Sequence, residues 1–405
     1  MMKKSTLAFV TTAFALGTAL TGCGGGNSAT PSSNSGTSQP AGDAGGNGGK
    51  IVIAGIGPLS GSASDYGDSA FSGAQYAVDL KKDEFKKLGF DLELSKQDDQ
   101  ADPKQGVANA EMVISNPDVL AVVGHITTGS SIPASAKYEE AGLAMVSPSA
   151  TGSKLTDDGK KTVHRICARD DQQGSKAAMY AKNQLGVKTA FIIHDKGAYG
   201  QGLAEQVKQQ LEKDGVQVLG FEGITPGEKD YSAVINQVTA KNPDLLYFGG
   251  YYAEGGILVK QAREKNYKGI FMGADGLDSA DMAKIAGPAV EGVVYTSTVD
   301  DVTSTDEGKK WVADYEKASG KKVGIFTSYG YDAANVVIHG IEEAIKANGG
   351  KKPSRQQVLD AIHKTTDFQG QFVKVTFDEK GDNKYASVYA YKYEANGKKF
   401  LGEAK

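Results

Sequence analysis

The chain has 405 residues, with 45 Lys and Arg against 49 Asp and Glu and a formal net charge of −4. It holds no basic run or cluster, which argues against a nucleic-acid partner. Its two cysteines, Cys23 and Cys167, are too few for a disulfide framework.

The first 22 residues read as an export signal. Lys3 and Lys4 precede an apolar run, LAFVTTAFALGTAL, too short for a comfortable membrane span. The run ends in Leu20-Thr21-Gly22-Cys23, which resembles a bacterial lipobox, in which that cysteine is lipidated and becomes the mature N-terminus. Ordinary secretory cleavage beside a chance cysteine is the alternative. Several acyl chains would give a stable anchor. Residues 24–49, GGGNSATPSSNSGTSQPAGDAGGNGG, have one charge, Asp43, and too little apolar content to fold. They are expected to tether the protein with a reach of about 25–30 Å.

From Lys50 the chain alternates strand and helix signals. KIVIAGIGPLS is an apolar run closed by Gly and Pro, followed by helical spacing over 68–88. DLELSKQDD alternates like a strand, and Asp102-Pro103 reads as an N-cap with proline at the first helical position. VLAVVGH and LAMVSPS are buried strands. After HRICARD the cycle resumes, with helices at 172–185, 200–213, 231–241, 255–266 and 279–286. Between them run KTAFIIHD, VQVLGFEGI, DLLYFGGYY and GIFMGADG, and VEGVVYTSTV follows the last. Helices near 306–319, 328–348 and 354–364 precede two strands, QFVKVTFDEKGD and YASVYAYKY. This order predicts an α/β protein with parallel sheets covered on both faces, too large for one simple core.

Enzyme motifs fail on inspection. Gly55-Ile56-Gly57-Pro58-Leu59-Ser60-Gly61 has Ser60 where a dinucleotide fingerprint needs its third glycine. Gly49-Lys50 resembles the end of a P-loop, but Ala44 and Ile51 occupy positions that need Gly and Ser or Thr. No G-x-S-x-G elbow is present, and the five histidines show no metal-ligand spacing, so neither cofactor nor metal is expected. A hydrolase using Ser130 or Ser131 remains a distant alternative.

Several strand ends are chemically unusual. They are Ile126-Thr127-Thr128, Ser147 to Thr151, His194 to Gly200, Gly249 to Tyr252, and Gly273 to Gly276. In open α/β sheets, ligands bind beyond the carboxyl ends of strands. Hydroxyls and free amides at helix starts suit a carboxylate, and Asp275 at another strand end suits an ammonium. Tyrosines supply apolar walls with polar tips. Together these describe an α-amino acid site, although each stretch alone reads more readily as a turn.

From about Lys50 to Lys405 the chain resembles the leucine/isoleucine/valine-binding family, the periplasmic substrate-binding components of branched-chain amino acid ABC transporters. The matching stretches, in family order, include IGPLSG with DYGD, QDDQADPKQGVANA, VVGH, SPSAT, HDKGAYGQG, GITPGEKDYSAV, YFGGYYAE, FMGADG, VEGVV and FDEKGD. The resemblance implies a type I periplasmic-binding-protein fold, with two Rossmann-like lobes that close on ligand and three crossings near 166–171, 297–301 and 376–382. It places 50–168 and 299–378 in lobe 1, and 169–298 and 379–405 in lobe 2.

The resemblance also assigns roles. Thr128 matches the hydroxyl and amide that take the ligand carboxylate. Ser149 and Ala150 match residues binding the α-groups through backbone atoms, and Thr151 adds a hydroxyl. Asp275 matches the acid that pairs with the ammonium. Tyr66, Ile126, Thr127, Tyr199 and Tyr251 match the side-chain pocket. Some relatives carry Glu at Asp275, Thr127 adds a hydroxyl to the pocket, and Phe326 falls where the family often supplies another apolar wall. The implied function is a lipid-anchored, non-enzymatic amino-acid receptor, a monomer, feeding an ABC permease. The alternative is an amino-acid or amide sensor of the same fold acting on a regulatory partner.

Overall fold

The computed structural model describes residues 48–395 and 397–404. The export signal, Cys23 and nearly all of the tether therefore lie outside the described residues. Gly49, placed in the tether by composition, is already the first residue of strand β1 (Gly49–Gly57) and pairs with Phe90.

The first half builds one sheet. After β1 come α1 (Ser64–Lys87), β2 (Phe90–Asp98), α2 (Pro103–Ser115), β3 (Val119–Gly124), α3 (Thr128–Ala141), β4 (Ala144–Ser147), α4 (Lys154–Asp157) and β5 (Val163–Arg165). The strands are parallel, in the order β2-β1-β3-β4-β5. Side chains on a strand alternate between faces, so a sheet covered on both sides needs apolar residues at successive positions. Ile51 and Ile53 accordingly enter one core with α1, while Val52, Ala54 and Ile56 enter another with α2 and α3. Asp102 caps α2 as its sequence implies, accepting from the backbone N–H groups of Lys104 and Gln105.

A second sheet follows from α5 (Asp170–Asn183), β6 (Thr189–His194), α6 (Ala198–Lys213), β7 (Gln217–Gly223), α7 (Ser232–Lys241), β8 (Leu245–Gly249), α8 (Tyr252–Glu264), β9 (Ile270–Gly273), α9 (Ala280–Ala286) and β10 (Val294–Ser297). The chain then returns to the first sheet as α10 (Asp306–Ser319), α11 (Thr327–Ala347) and α12 (Arg355–His363), with α11 packed along α1. The two-residue strands β11 (Phe368–Gln369) and β12 (Lys374–Val375) pair with each other. Finally β13 (Tyr389–Glu394) and β14 (Gly397–Glu403) add an antiparallel edge to the second sheet, giving β14-β13-β10-β9-β8-β6-β7.

One predicted strand is corrected. QFVKVTFDEKGD yields only β12 and a loop, because the buried Asp332 carboxylate on α11 accepts from the N–H groups of Gln371, Phe372 and Val373. Those amides are thereby satisfied without a ladder.

In each sheet the strand order reverses beside the first strand. Here β1 lies between β2 and β3, and β6 lies between β7 and β8. Helices on opposite faces diverge at such a switch point and leave a crevice beyond the strand ends. The two crevices supply opposite walls of one cavity.

Candidate functional site

The turn after β3 is fixed by a buried histidine. His125 bonds through Nδ1 to Asp99 Oδ2 at 2.8 Å and through Nε2 to the Tyr138 hydroxyl at 2.8 Å. The next carbonyls are held by hydroxyls. Ser147 Oγ donates to His125 O at 2.7 Å, Ser149 Oγ to Ile126 O at 2.8 Å, and Ser131 Oγ to Thr127 O at 2.8 Å. Ser130 Oγ accepts from the Thr127 hydroxyl. The serines considered as nucleophiles thus sit in a framework that shapes the turn, with no histidine side chain bonded to either.

That framework presents the start of α3. Thr127 is its N-cap by backbone conformation, yet its side chain makes no capping bond. The first amides of a helix lack intrahelical partners and carry partial positive charge, so this end suits a carboxylate. Thr128 Oγ1 accepts from Gly152 N at 3.1 Å, tying the helix start to the turn after β4. A Cβ at Gly152 would run into the Thr128 methyl, so only glycine permits this approach.

The facing wall comes from the second sheet. Tyr199 and Tyr251 stand at the uncapped starts of α6 and α8. Asp275 follows β9 and is 3 % exposed. Tyr199 donates its hydroxyl to Asp275 Oδ1 at 2.7 Å and accepts from Gly276 N at 3.0 Å. Burial pushes the Asp275 carboxyl up to about 6, against the pull of the Tyr199 hydrogen bond.

Tyr66, on α1, crosses between the walls and donates to Gly276 O at 2.6 Å. Its ring lies 5.8 Å from Tyr251 and 5.6 Å from Phe326, and Tyr199 lies 5.1 Å from Tyr251. These aromatic faces bound a small cavity of about 20 Å³.

The cavity wall contains Tyr66, Ile126, Thr127, Thr128, Ser149, Tyr199, Tyr251 and Asp275 of the residues singled out in the sequence. Gly276 and Phe326 complete it. Ala150 and Thr151 do not line it. The Ala150 N–H is spent on Ser147 Oγ, and its carbonyl accepts from Arg165 Nη1. Thr151 is buried, and its hydroxyl has no partner.

Sequence reasoning missed the residues behind this wall. Arg165, wholly buried at the end of β5, donates to the carbonyls of Ala150 and Gly152 at 2.9 Å each and to Asp382 Oδ1 at 2.5 Å. Asp170 and Gln173, at the start of α5, are also buried. Nothing local marks them, since a charged residue in a helix's first turn ordinarily faces solvent.

A wider groove of about 1050 Å³ runs along residues 278–291, 299–303, 322–325, 391–395 and 397–400. None of the buried unpartnered side-chain atoms among the described residues lies on its wall. Among the described residues no group of three His, Cys, Asp or Glu could hold a metal ion, and no helix is long and apolar enough to cross a membrane.

Two α/β bodies with a small cavity between facing switch points define a type I periplasmic binding protein, and solved structures share this architecture. The chain belongs to the periplasmic binding protein family, whose sequence profile matches residues 50–398. It is 37% identical over 345 residues to the Leu/Ile/Val-binding protein BraC3 of Rhizobium johnstonii, covering 85% of this chain and 92% of that one. It is 36% identical to a leucine-, isoleucine-, valine-, threonine- and alanine-binding protein of Pseudomonas aeruginosa, covering 85% and 90%. The crystal structure of a leucine-binding protein of Thermotoga maritima superimposes with a TM-score of 0.80 at 29% identity, over 88% of this chain and 99% of that one.

Proposed function

We propose that this protein captures aliphatic, branched-chain L-amino acids outside the cytoplasm and delivers them to the permease of an ABC importer, without chemical change to the ligand. The observation that carries the reading is the opposition of two charges. An uncapped helix start at Thr128 faces the buried Asp275 across a cavity walled by tyrosines. This polarity matches a zwitterion with an apolar side chain. The names of the relatives support the same ligand class.

Lobe 1 consists of 50–168 and 299–378, and lobe 2 of 169–298 and 379–405. The Thr128 amides take the carboxylate first. Closure of lobe 2 then brings Asp275 to the ammonium and Tyr199 and Tyr251 to the side chain. Ligand shifts the open–closed equilibrium because it gains these contacts only in the closed form, and the permease reads that form. Lipid on Cys23 holds the protein at the membrane, and the tether sets its reach.

Thermal unfolding with single ligands tests the assignment, since a ligand that binds only the folded protein raises its melting temperature. Leucine, isoleucine or valine should raise it, and isobutylamine, which lacks the carboxylate, should not. Equal stabilisation by isobutylamine would remove the amino-acid reading.

A further inference from the structure

A thin partition separates the small cavity from the wider groove. Tyr66, Gly276 and Phe326 face the cavity, while Asp65, Asp278 and Ile325, beside them in the chain, line the groove. Two bonds between the sheets close the partition, from Tyr66 to the Gly276 carbonyl and from Ser279 Oγ to Asp65 Oδ2 at 2.6 Å. One bank of the groove comes from α1 and α10 on the first sheet, through Asp65, Val312 and Glu316. The other comes from α9 and the β13–β14 hairpin on the second sheet, and residues 299–303 run between them.

Most of the buried lining is apolar, Val290, Val299, Ile325 and Tyr391 included. The charge above it is one-sided. Seven carboxylates and two lysines line the groove, and both lysines are engaged, Lys322 with Glu316 at 2.6 Å and Lys398 with Asp278 at 2.9 Å. Glu394 meets Lys392 at 3.2 Å. Among the described residues, Asp65, Glu291, Asp300 and Asp301 have no cationic partner, and they are spread over both banks and the segment between. Burial raises the Asp300 carboxyl above its ordinary range, against the pull of the Asp301 N–H. The tyrosine hydroxyls of the wall are spent on backbone, Tyr391 on Val299 O and Tyr393 on Leu277 O. Lys398 displays the chemistry the groove accepts, because its ammonium sits beside a carboxylate and 5.5 Å from the Tyr391 ring centroid.

We infer that this groove is a second ligand site, for an organic dication with an apolar body, and that its occupancy is coupled to that of the amino-acid cavity. The volume suits a small molecule. An anion would meet uncompensated carboxylates, and a small hydrophilic cation would leave the apolar lining in water. Two charges answer acids that stand on opposite banks. Coupling follows from the shared partition, since a ligand bridging the banks favours one arrangement of the two sheets. The coupling, but not the site, rests on the amino-acid reading above.

Calorimetry without amino acid tests the site, with 1,8-diaminooctane as the probe. Octanedioate has the same length and the opposite charge, and 1,4-diaminobutane has the same charge on half the chain. The probe should bind at least about tenfold more tightly than 1,4-diaminobutane, because four further methylenes leave water. Octanedioate should not bind. Val312→Arg places a tethered cation in the groove from α10, away from the amino-acid cavity. It should weaken the probe by at least about tenfold and still bind leucine. Equal binding of the probe and either comparison compound overturns the site, as does probe affinity in Val312→Arg within about threefold of wild type. If Val312→Arg does not fold, the double variant Asp300→Asn, Asp301→Asn is read by the same ratio. Saturating 1,8-diaminooctane should shift the leucine affinity of the wild type by at least about threefold. An unchanged leucine affinity overturns the coupling. Failure of the wild type to bind any common L-amino acid overturns the functional reading and leaves the probe measurements to decide the site.

Discussion

Tyr66 and Gly276 are 210 residues apart in sequence, yet the Tyr66 hydroxyl donates to the Gly276 carbonyl at 2.6 Å. This bond runs from α1, on the first sheet, to the turn after β9 on the second. It joins the two walls of the cavity directly, so under the proposed closing mechanism its strength would enter the equilibrium between open and closed forms.

Tyr66→Phe removes that bond and keeps the ring against Tyr251 and Phe326. A net hydrogen bond contributes about 0.5–1.5 kcal/mol. Ligand affinity should therefore fall by about two- to tenfold by calorimetry. Unchanged affinity would show that closure does not depend on this contact.

Asp275→Asn leaves a bound ammonium without one counter-charge in a buried site. The cost of about 2–5 kcal/mol predicts a loss of roughly two orders of magnitude or more in affinity. Small-angle scattering at saturating ligand should show a larger radius of gyration than ligand-bound wild type. An affinity within about threefold of wild type would reduce Asp275 to a turn residue.

The same residue predicts a pH dependence. Its carboxyl is raised from 3.8 to about 6, and those of Asp170, Asp195 and Asp332 are raised in the same direction. Between the unfolded and folded values the native state binds more protons, so the stability these acids contribute is fully present below about pH 4 and is lost as pH rises through their folded values. Asp275→Asn removes one such acid. The unliganded variant should gain on wild type in melting temperature as pH rises from about 4.5 to about 7. A gap that stays constant with pH would show that this acid does not titrate there.

Arg165→Met should unfold the protein at a lower temperature. It strips donors from Ala150, Gly152 and Thr156, and leaves Asp382 with the Arg169 guanidinium and the Thr156 hydroxyl. Breaking a buried pair costs about 3–5 kcal/mol. Chemical denaturation should show a reduced midpoint with an unchanged slope. A midpoint equal to wild type would mean that the Arg169 guanidinium suffices to balance the Asp382 charge.

Cys23→Ser should move the protein from the membrane to the soluble fraction of cells, as the tether of 24–49 has no other anchor. Retention in membranes would overturn the lipobox reading.

The alternation of strand and helix, the cap at Asp102 and the apolar runs of β1, β3, β6 and β8 were legible in the sequence, because periodicity and capping act over a few residues. The stretches at strand ends were legible for the same reason, since a parallel α/β sheet directs its crevice to those ends. Which residues line the cavity depended on packing between distant segments. Ala150 and Thr151 lie behind the wall because the Arg165 guanidinium draws the carbonyls of 150 and 152 toward itself. The run QFVKVTFD carries a strand signal, but the Asp332 carboxylate takes its amides, and no local rule announces a side chain about forty residues away. Burial of Asp170 is likewise invisible to sequence, where an acid at a helix start suits solvent and the helix dipole equally well. Local chemistry therefore determined the elements and the ends that carry the crevice. Tertiary packing decided which polar groups at those ends were spent on the protein and which were left without a partner.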